Sequence, residues 1–302
     1  MNLWNFSKLV PINGLKVRLD DYINLIRLNR PAGIYPLLFP CLFGCALAYK
    51  SPDAVISVYR LIYFMLLFAI GSVVMRSAGC IINDIFDQKF DILVSRTRNR
   101  ALVAGKVTKK QAIILLFVLL LFGLLILLQF NQKVVLLGFF SLFLAVIYPL
   151  TKRITYFPQV FLGITYNIGV LMASLAILQK INISAIILYV TTIIWTVIYD
   201  TIYAYQDIED DLKIGVKSTA VKFASSGKKI MILLNIAMFS GFILLGKIND
   251  WSLYYYFLAL IANGYLLFGL IKCDLKNPKD CSEAFKSTLN FSLIILTAII
   301  FG

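Results

Sequence analysis

Along this chain apolar residues come in long unbroken blocks, separated by short polar stretches. The clearest, 111-QAIILLFVLLLFGLLILLQF-130, carries no charge and matches the ~20 residues an α-helix needs to cross a bilayer. The pattern predicts nine spans, at about 31–50, 59–85, 111–130, 134–150, 157–178, 184–206, 229–246, 251–271 and 286–302. An odd number puts the termini on opposite sides. The expectation is an all-α, polytopic membrane bundle of about nine transmembrane helices. Residues 1–302 form a single domain in this reading, with 1–30 as a polar cytoplasmic lead-in, since no Gly/Ser linker or low-complexity stretch divides the chain.

Composition agrees. Of 302 residues 60% are hydrophobic and 15% charged, far from the roughly quarter-charged make-up of soluble domains. The net charge of +14 belongs to span ends rather than to nucleic-acid binding. With the N-terminus in the cytoplasm, the inside segments hold 23 Lys/Arg and the outside turns hold 5, as the positive-inside rule requires. There is no histidine, and the five cysteines form no CxxC pair. This excludes His-based triads and zinc sites, leaving carboxylates, cationic side chains and a hard metal for any chemistry.

The acids are concentrated. Of 15 acidic residues, eight lie in or beside 83-NDIFDQKFD-91 and 207-DIEDD-211, at the cytoplasmic ends of the second and sixth spans. Asn83, Asp87 and Asp91 are four apart, so on a helix each is offset about 40° and about 6 Å from the last and all share a face. Asp207 and Asp211 repeat that spacing, and Asp200 lies two turns deeper. Carboxylates this close repel one another, so cations must sit among them. Oxygen ligands without His or Cys select Mg²⁺, Mn²⁺ or Ca²⁺, and Mg²⁺ is typically shared between one or two carboxylates and phosphate oxygens. Arg76, seven residues before Asn83, and Arg96, Arg98, Arg100, Lys152 and Arg153 in neighbouring cytoplasmic loops suit a phosphate. The candidate metal ligands are Asn83, Asp84, Asp87, Asp91, Asp207 and Asp211. A weak echo, 95-SRTRNR-100 after the first cluster and 217-KST-219 after the second, hints at two equivalent half-bundles.

These motifs resemble the intramembrane aromatic prenyltransferase superfamily. The likeness runs from 27-RLNRPAG-33 through 76-RSAGCIINDIFDQKFDILVSRTRNRAL-102, 148-YPLTKRIT-155 and 158-PQV-160 to 199-YDTIYAYQDIEDD-211 and 215-GVKSTA-220, the last two being similar to the ubiquinone-pathway branch. One departure is Ala101, where many relatives carry proline, which predicts a looser turn. The resemblance implies a nine-helix bundle around a central cavity open to lipid, with a polyprenyl diphosphate and 4-hydroxybenzoate as substrates, Mg²⁺ as cofactor, the lipid bilayer as surroundings and no obligate protein partner. It implies Mg-dependent transfer of the polyprenyl group to the ring carbon ortho to the hydroxyl. Asp87, Asp91, Asp207 and Asp211 are then the catalytic carboxylates, with Asp200 a candidate for ring-proton removal. Arg76, Arg96, Arg100 and Lys152 would bind diphosphate, and Arg27, Arg30 and Arg153 are the candidates for benzoate. Two alternatives are transfer to another acceptor (haem, a naphthoate or a chlorophyll precursor) and cation transport, for which the polar groups would have to continue to the far face. The N-terminus lacks an Arg- and Ser-rich presequence, from which a bacterial cytoplasmic (inner) membrane with the site facing the cytoplasm is expected.

Overall fold

The computed structural model describes residues 9–12 and 15–302. Two short strands, β1 (Leu9–Ile12) and β2 (Leu15–Arg18), pair antiparallel and lead into α1 (Leu19–Leu25). The lead-in thus has structure that its polar composition did not announce. The remainder is helical: α2 (Tyr35–Lys50), α3 (Val58–Asp91), α4 (Lys109–Leu127), α5 (Gln132–Ile154), α6 (Pro158–Leu178), α7 (Ile183–Ala204), α8 (Ile208–Ile214), α9 (Thr219–Phe223), α10 (Gly227–Ile248), α11 (Leu253–Lys272) and α12 (Pro278–Phe301). Each predicted span has its helix. Among the described residues eight are long and apolar enough to cross a membrane, while α2, at 16 residues, is shorter. A Pro31–Gly33 turn of 3₁₀ helix precedes α2 and takes up residues assigned to that span.

Side-chain chemistry sets the helix ends. Ser57, Asn131 and Asn182 accept the free N–H groups at the starts of α3, α5 and α7, and Thr108 with Gln111 forms a capping box on α4, each satisfying donors the first turn leaves over. The helix α4 buries only Ala112 and turns Phe117, Leu121, Phe122 and Leu125 outward. Water would penalise such a face; lipid does not.

The helices close into a ring. Packing runs α2–α3, α3–α5, α5–α6, α6–α7, α7–α10, α10–α11 and α11–α12, and α12 returns to α2. The ring is also crossed, α2 packing directly on α6 and α7 and α12 on α7. Helices in lipid associate through close packing of small residues, and α2 against α6 follows that rule. A Cβ on Gly44 would stand 2.8 Å from the Cα and carbonyl oxygen of Val170. Gly44→Leu is therefore expected to prevent assembly of these two helices, and size-exclusion chromatography of the detergent-extracted variant should show aggregate in place of the wild-type peak. Between α2, α7, α10 and α12 lies an aromatic core in which Trp195 meets Tyr199, Phe291 and Phe43 at ring separations of 4.9, 5.7 and 6.3 Å.

Candidate functional site at the polar mouth

The helix α3 is 34 residues long, about 51 Å at 1.5 Å per residue, so its last turns extend beyond the ~30 Å hydrocarbon core. These turns carry the first acid cluster. Asp84, Asp87 and Asp91 are all buried, Asn83 half so. Acids at a helix C-terminus oppose the helix dipole, and cations offset them here. Arg100 Nη1 donates to Asp91 at 2.6 Å and to Asp84 at 3.1 Å, Arg27 pairs with Asp84, and Lys152 Nζ reaches Asp87 at 3.2 Å. The loop carrying Arg96 and Arg100 is held by Thr97, whose hydroxyl donates to the Asp91 carbonyl at 2.9 Å.

The second cluster is built differently from its spacing. The helix α7 ends at Ala204, a 3₁₀ turn covers Tyr205–Asp207, and α8 starts afresh at Ile208. The predicted single face through Asp200, Asp207 and Asp211 is therefore interrupted, because a 3₁₀ turn rotates each residue further than an α turn does. Asp207 faces the first cluster through Arg96, whose Nε donates to both carboxylate oxygens at 2.8 and 3.1 Å while Nη1 donates to the Tyr203 hydroxyl at 2.9 Å. Burial alone would pull the Arg96 guanidinium down, but its hydrogen-bonded Asp207 carboxylate together with Tyr203 and Asp91 more than offsets this and raises its pKa. Asp210 accepts from the Ser95 backbone N–H at 3.0 Å, so the same loop touches both clusters. Asp200 is half-buried, with Gln159, Lys152 and Arg76 as its polar surroundings.

Not every candidate arrives at the carboxylates. Arg76 donates to the Gly33 carbonyl at 2.9 Å, and a Cβ on Gly33 would lie 2.9 Å from the guanidinium, which accounts for glycine at the end of 27-RLNRPAG-33. Arg153 donates to the Phe86 carbonyl at 2.9 Å and lies over the Phe90 ring, clamping α5 to α3. Arg30 is exposed, and neither it nor Asp211 has an ion-pair partner among the described residues. The loop at Ala101 is not loose: Ala101 is buried and its carbonyl accepts from Lys106 and Val107. Sequence reasoning missed Tyr203, whose position four residues before Asp207 was the available signal. It also missed the clasp that ties α5 and α6 to the start of α9, where Lys217 N donates to the Lys152 carbonyl and Thr219 N to the Gln159 side chain, both at 3.0 Å.

Among the described residues no three His, Cys, Asp or Glu side chains converge on one point. The acids are instead interleaved with cations. A lone divalent ion would find its ligands already paired, whereas a metal–diphosphate unit, bringing both charges together, matches acids and arginines at once. In that sense the donor set fits Mg²⁺ with a diphosphate.

A helical membrane bundle, entered through a short β1–β2 hairpin and with acids and arginines alternating at one polar mouth, is the architecture of an intramembrane prenyltransferase. The chain belongs to the UbiA prenyltransferase family, whose family model matches residues 37–294. It is 39% identical, over 93% of its own length and 70% of the relative's, to the 4-hydroxybenzoate polyprenyltransferase, mitochondrial, of Drosophila pseudoobscura pseudoobscura. Its fold is like that of a UbiA homolog from Aeropyrum pernix K1 (TM-score 0.72, 23% identity, 89% of this chain and 96% of that one). It is also like that of a UbiA homolog from Archaeoglobus fulgidus solved bound to GPP and Mg²⁺ (TM-score 0.67, 18% identity, 93% and 99%). The relative's mitochondrial name leaves the expected bacterial membrane without support; what the apolar helices carry is membrane embedding.

Proposed function

We propose that this protein transfers a polyprenyl group from polyprenyl diphosphate to the ring carbon ortho to the hydroxyl of 4-hydroxybenzoate, with Mg²⁺ as cofactor. The observation that carries the reading is the mouth itself: Asp84, Asp87 and Asp91 facing Asp207 across Arg96, Arg100 and Lys152, in a chain of this family. Asn83, Asp87, Asp91, Asp207 and Asp211 are the residues that would hold the metal, while Asp84, enclosed by Arg27 and Arg100, is a positioning residue. A bound divalent cation supplies Lewis-acid stabilisation of the negative charge that grows on departing diphosphate.

Arg96, Arg100 and Lys152 bind the remaining phosphate oxygens and hold the leaving group in place. The allylic C–O bond breaks with its electron pair going to diphosphate. The acceptor's ring carbon then bonds to the allylic carbon, and the displaced ring proton passes to a carboxylate, for which we propose Asp200. The apolar bundle keeps water from the allylic cation. Arg30 and Arg153 are the proposed cations for the benzoate carboxylate, since Arg27 is engaged by Asp84. The proposed setting is a membrane whose Lys/Arg-rich protein face meets the cytoplasm of a bacterium or the matrix of a mitochondrion, and the whole of 1–302 acts as one domain.

The test is transfer of a labelled polyprenyl group to 4-hydroxybenzoate by membranes containing the protein, with and without Mg²⁺. Metal-dependent product supports the reading, and prenylation of a different aromatic acceptor in its place would overturn the choice of acceptor. A smaller effect tests the Arg96 assignment. Tyr203→Phe removes the hydroxyl that orients Arg96 and should raise KM for the diphosphate by roughly tenfold, the low end of one hydrogen bond to a charged group, with kcat little changed.

A further inference from the structure

Away from the mouth, the bundle core holds polar atoms that no protein group satisfies. Trp195 Nε1 on α7, both side-chain polar atoms of Asn235 on α10, Asn263 Oδ1 on α11 and Thr288 Oγ1 on α12 are buried and without a hydrogen-bond partner among the described residues. Trp195 and Asn235 are fully enclosed, and Thr288 and Asn263 nearly so, at 3% and 8% exposure. An unpaired buried donor or acceptor is costly, most of all where lipid surrounds the helices. Five such atoms, on four side chains of one bundle, need a common cause.

Their heights coincide. Trp195 and Asn263 each lie nine residues from the cytoplasmic ends of α7 and α11, Asn235 eight residues into α10 and Thr288 ten into α12, which at 1.5 Å per residue is a layer about 12–15 Å deep. The helices that carry them are neighbours. The ring of Phe291, one turn beyond Thr288, packs on Trp195 at 5.7 Å and on Phe242 of α10 at 6.2 Å, and α11 packs on both α10 and α12. None of the four residues carries charge. The Trp195 N–H and the Asn235 amide donate, the Asn235 and Asn263 carbonyls accept, and Thr288 does either. A cation would face the two donors and an anion the two acceptors. The complement is small, neutral, and both donor and acceptor.

We propose that α7, α10, α11 and α12 enclose a bound water cluster held by Trp195, Asn235, Asn263 and Thr288. Such water is an integral part of a folded core when it meets several polar partners, and here it supplements the one direct side-chain hydrogen bond nearby, from Asn290 Nδ2 of α12 to the Tyr265 hydroxyl of α11 at 2.8 Å.

The sign of a stability change tests this on the full chain. If the polar atoms were simply unsatisfied, replacing them by apolar groups of similar size would be neutral or stabilising. If they bind water, the same changes remove hydrogen bonds. Asn235→Leu and the near-isosteric Thr288→Val should each lower Tm in detergent by roughly 2–4 °C, and a structure resolving ordered solvent should show water within hydrogen-bonding distance of at least two of the four side chains. An unchanged or raised Tm in Thr288→Val would overturn the proposal. So would density in which the four side chains pair directly with no water between them.

Discussion

Asp87→Asn is expected to abolish prenyl transfer while leaving the bundle folded. The carboxylate is 9% exposed, at the polar end of α3, and receives Lys152 at 3.2 Å. The amide keeps the shape and one acceptor oxygen, so helix packing has no reason to change, but it lacks the charge a hard divalent cation selects. Loss of a group that stabilises developing charge typically costs about 10²–10³ in rate, and a proposed metal ligand shared with the leaving group belongs in that range. Product formation at saturating Mg²⁺, measured beside the elution profile of the purified variant, checks it. A folded Asp87→Asn protein with normal turnover would remove Asp87 from the metal set.

Asp84→Asn should behave in the opposite way, failing in stability before it fails in chemistry. This carboxylate is 1% exposed and is enclosed by Arg27 and Arg100. Taking away its charge leaves two partly buried guanidinium groups facing each other without their common anion. Breaking a buried pair from one side costs roughly 3–5 kcal/mol. The pair also ties the turn after α1 to α3, next to a small apolar core of Leu25, Ile81, Ala101, Leu102, Val107 and Ala112, so the loop bearing Arg96 should loosen with it. Thermal unfolding should show a clear drop in Tm, and limited proteolysis should cut within residues 92–108 faster than in wild type. If instead Tm is unchanged and the Mg²⁺ concentration for half-maximal activity rises, Asp84 is a metal ligand and its assignment as a positioning residue is wrong.

The contrast between these two neighbours marks how far the sequence could be read. Spacing alone put Asn83, Asp87 and Asp91 on one face, and the continuous helix Val58–Asp91 keeps them there. The same spacing rule failed at Asp207, because nothing in 199-YDTIYAYQDIEDD-211 announces the 3₁₀ turn at Tyr205–Asp207. The sequence grouped Arg27 with the benzoate cations and Asp84 with the metal ligands; that the two pair with each other, 57 residues apart, is a tertiary fact. The Trp195, Asn235, Asn263 and Thr288 layer was equally hidden, since a lone polar residue within an apolar span does not say which neighbours share its depth.

What the sequence determined by itself was local or compositional. Apolar blocks near twenty residues dictate membrane helices, because backbone groups in lipid must bond within their own segment, and the bias of Lys and Arg to one side dictates orientation. Clustered acids without histidine favour a hard divalent cation over zinc or a softer metal. The tertiary structure decided which cation meets which acid, how α5 and α6 clasp the start of α9 through Lys217 and Gln159, and where α7 breaks. Those choices depend on side chains far apart in the chain competing for the same carboxylates in a confined mouth, and only the closed ring of helices brings them within reach of one another.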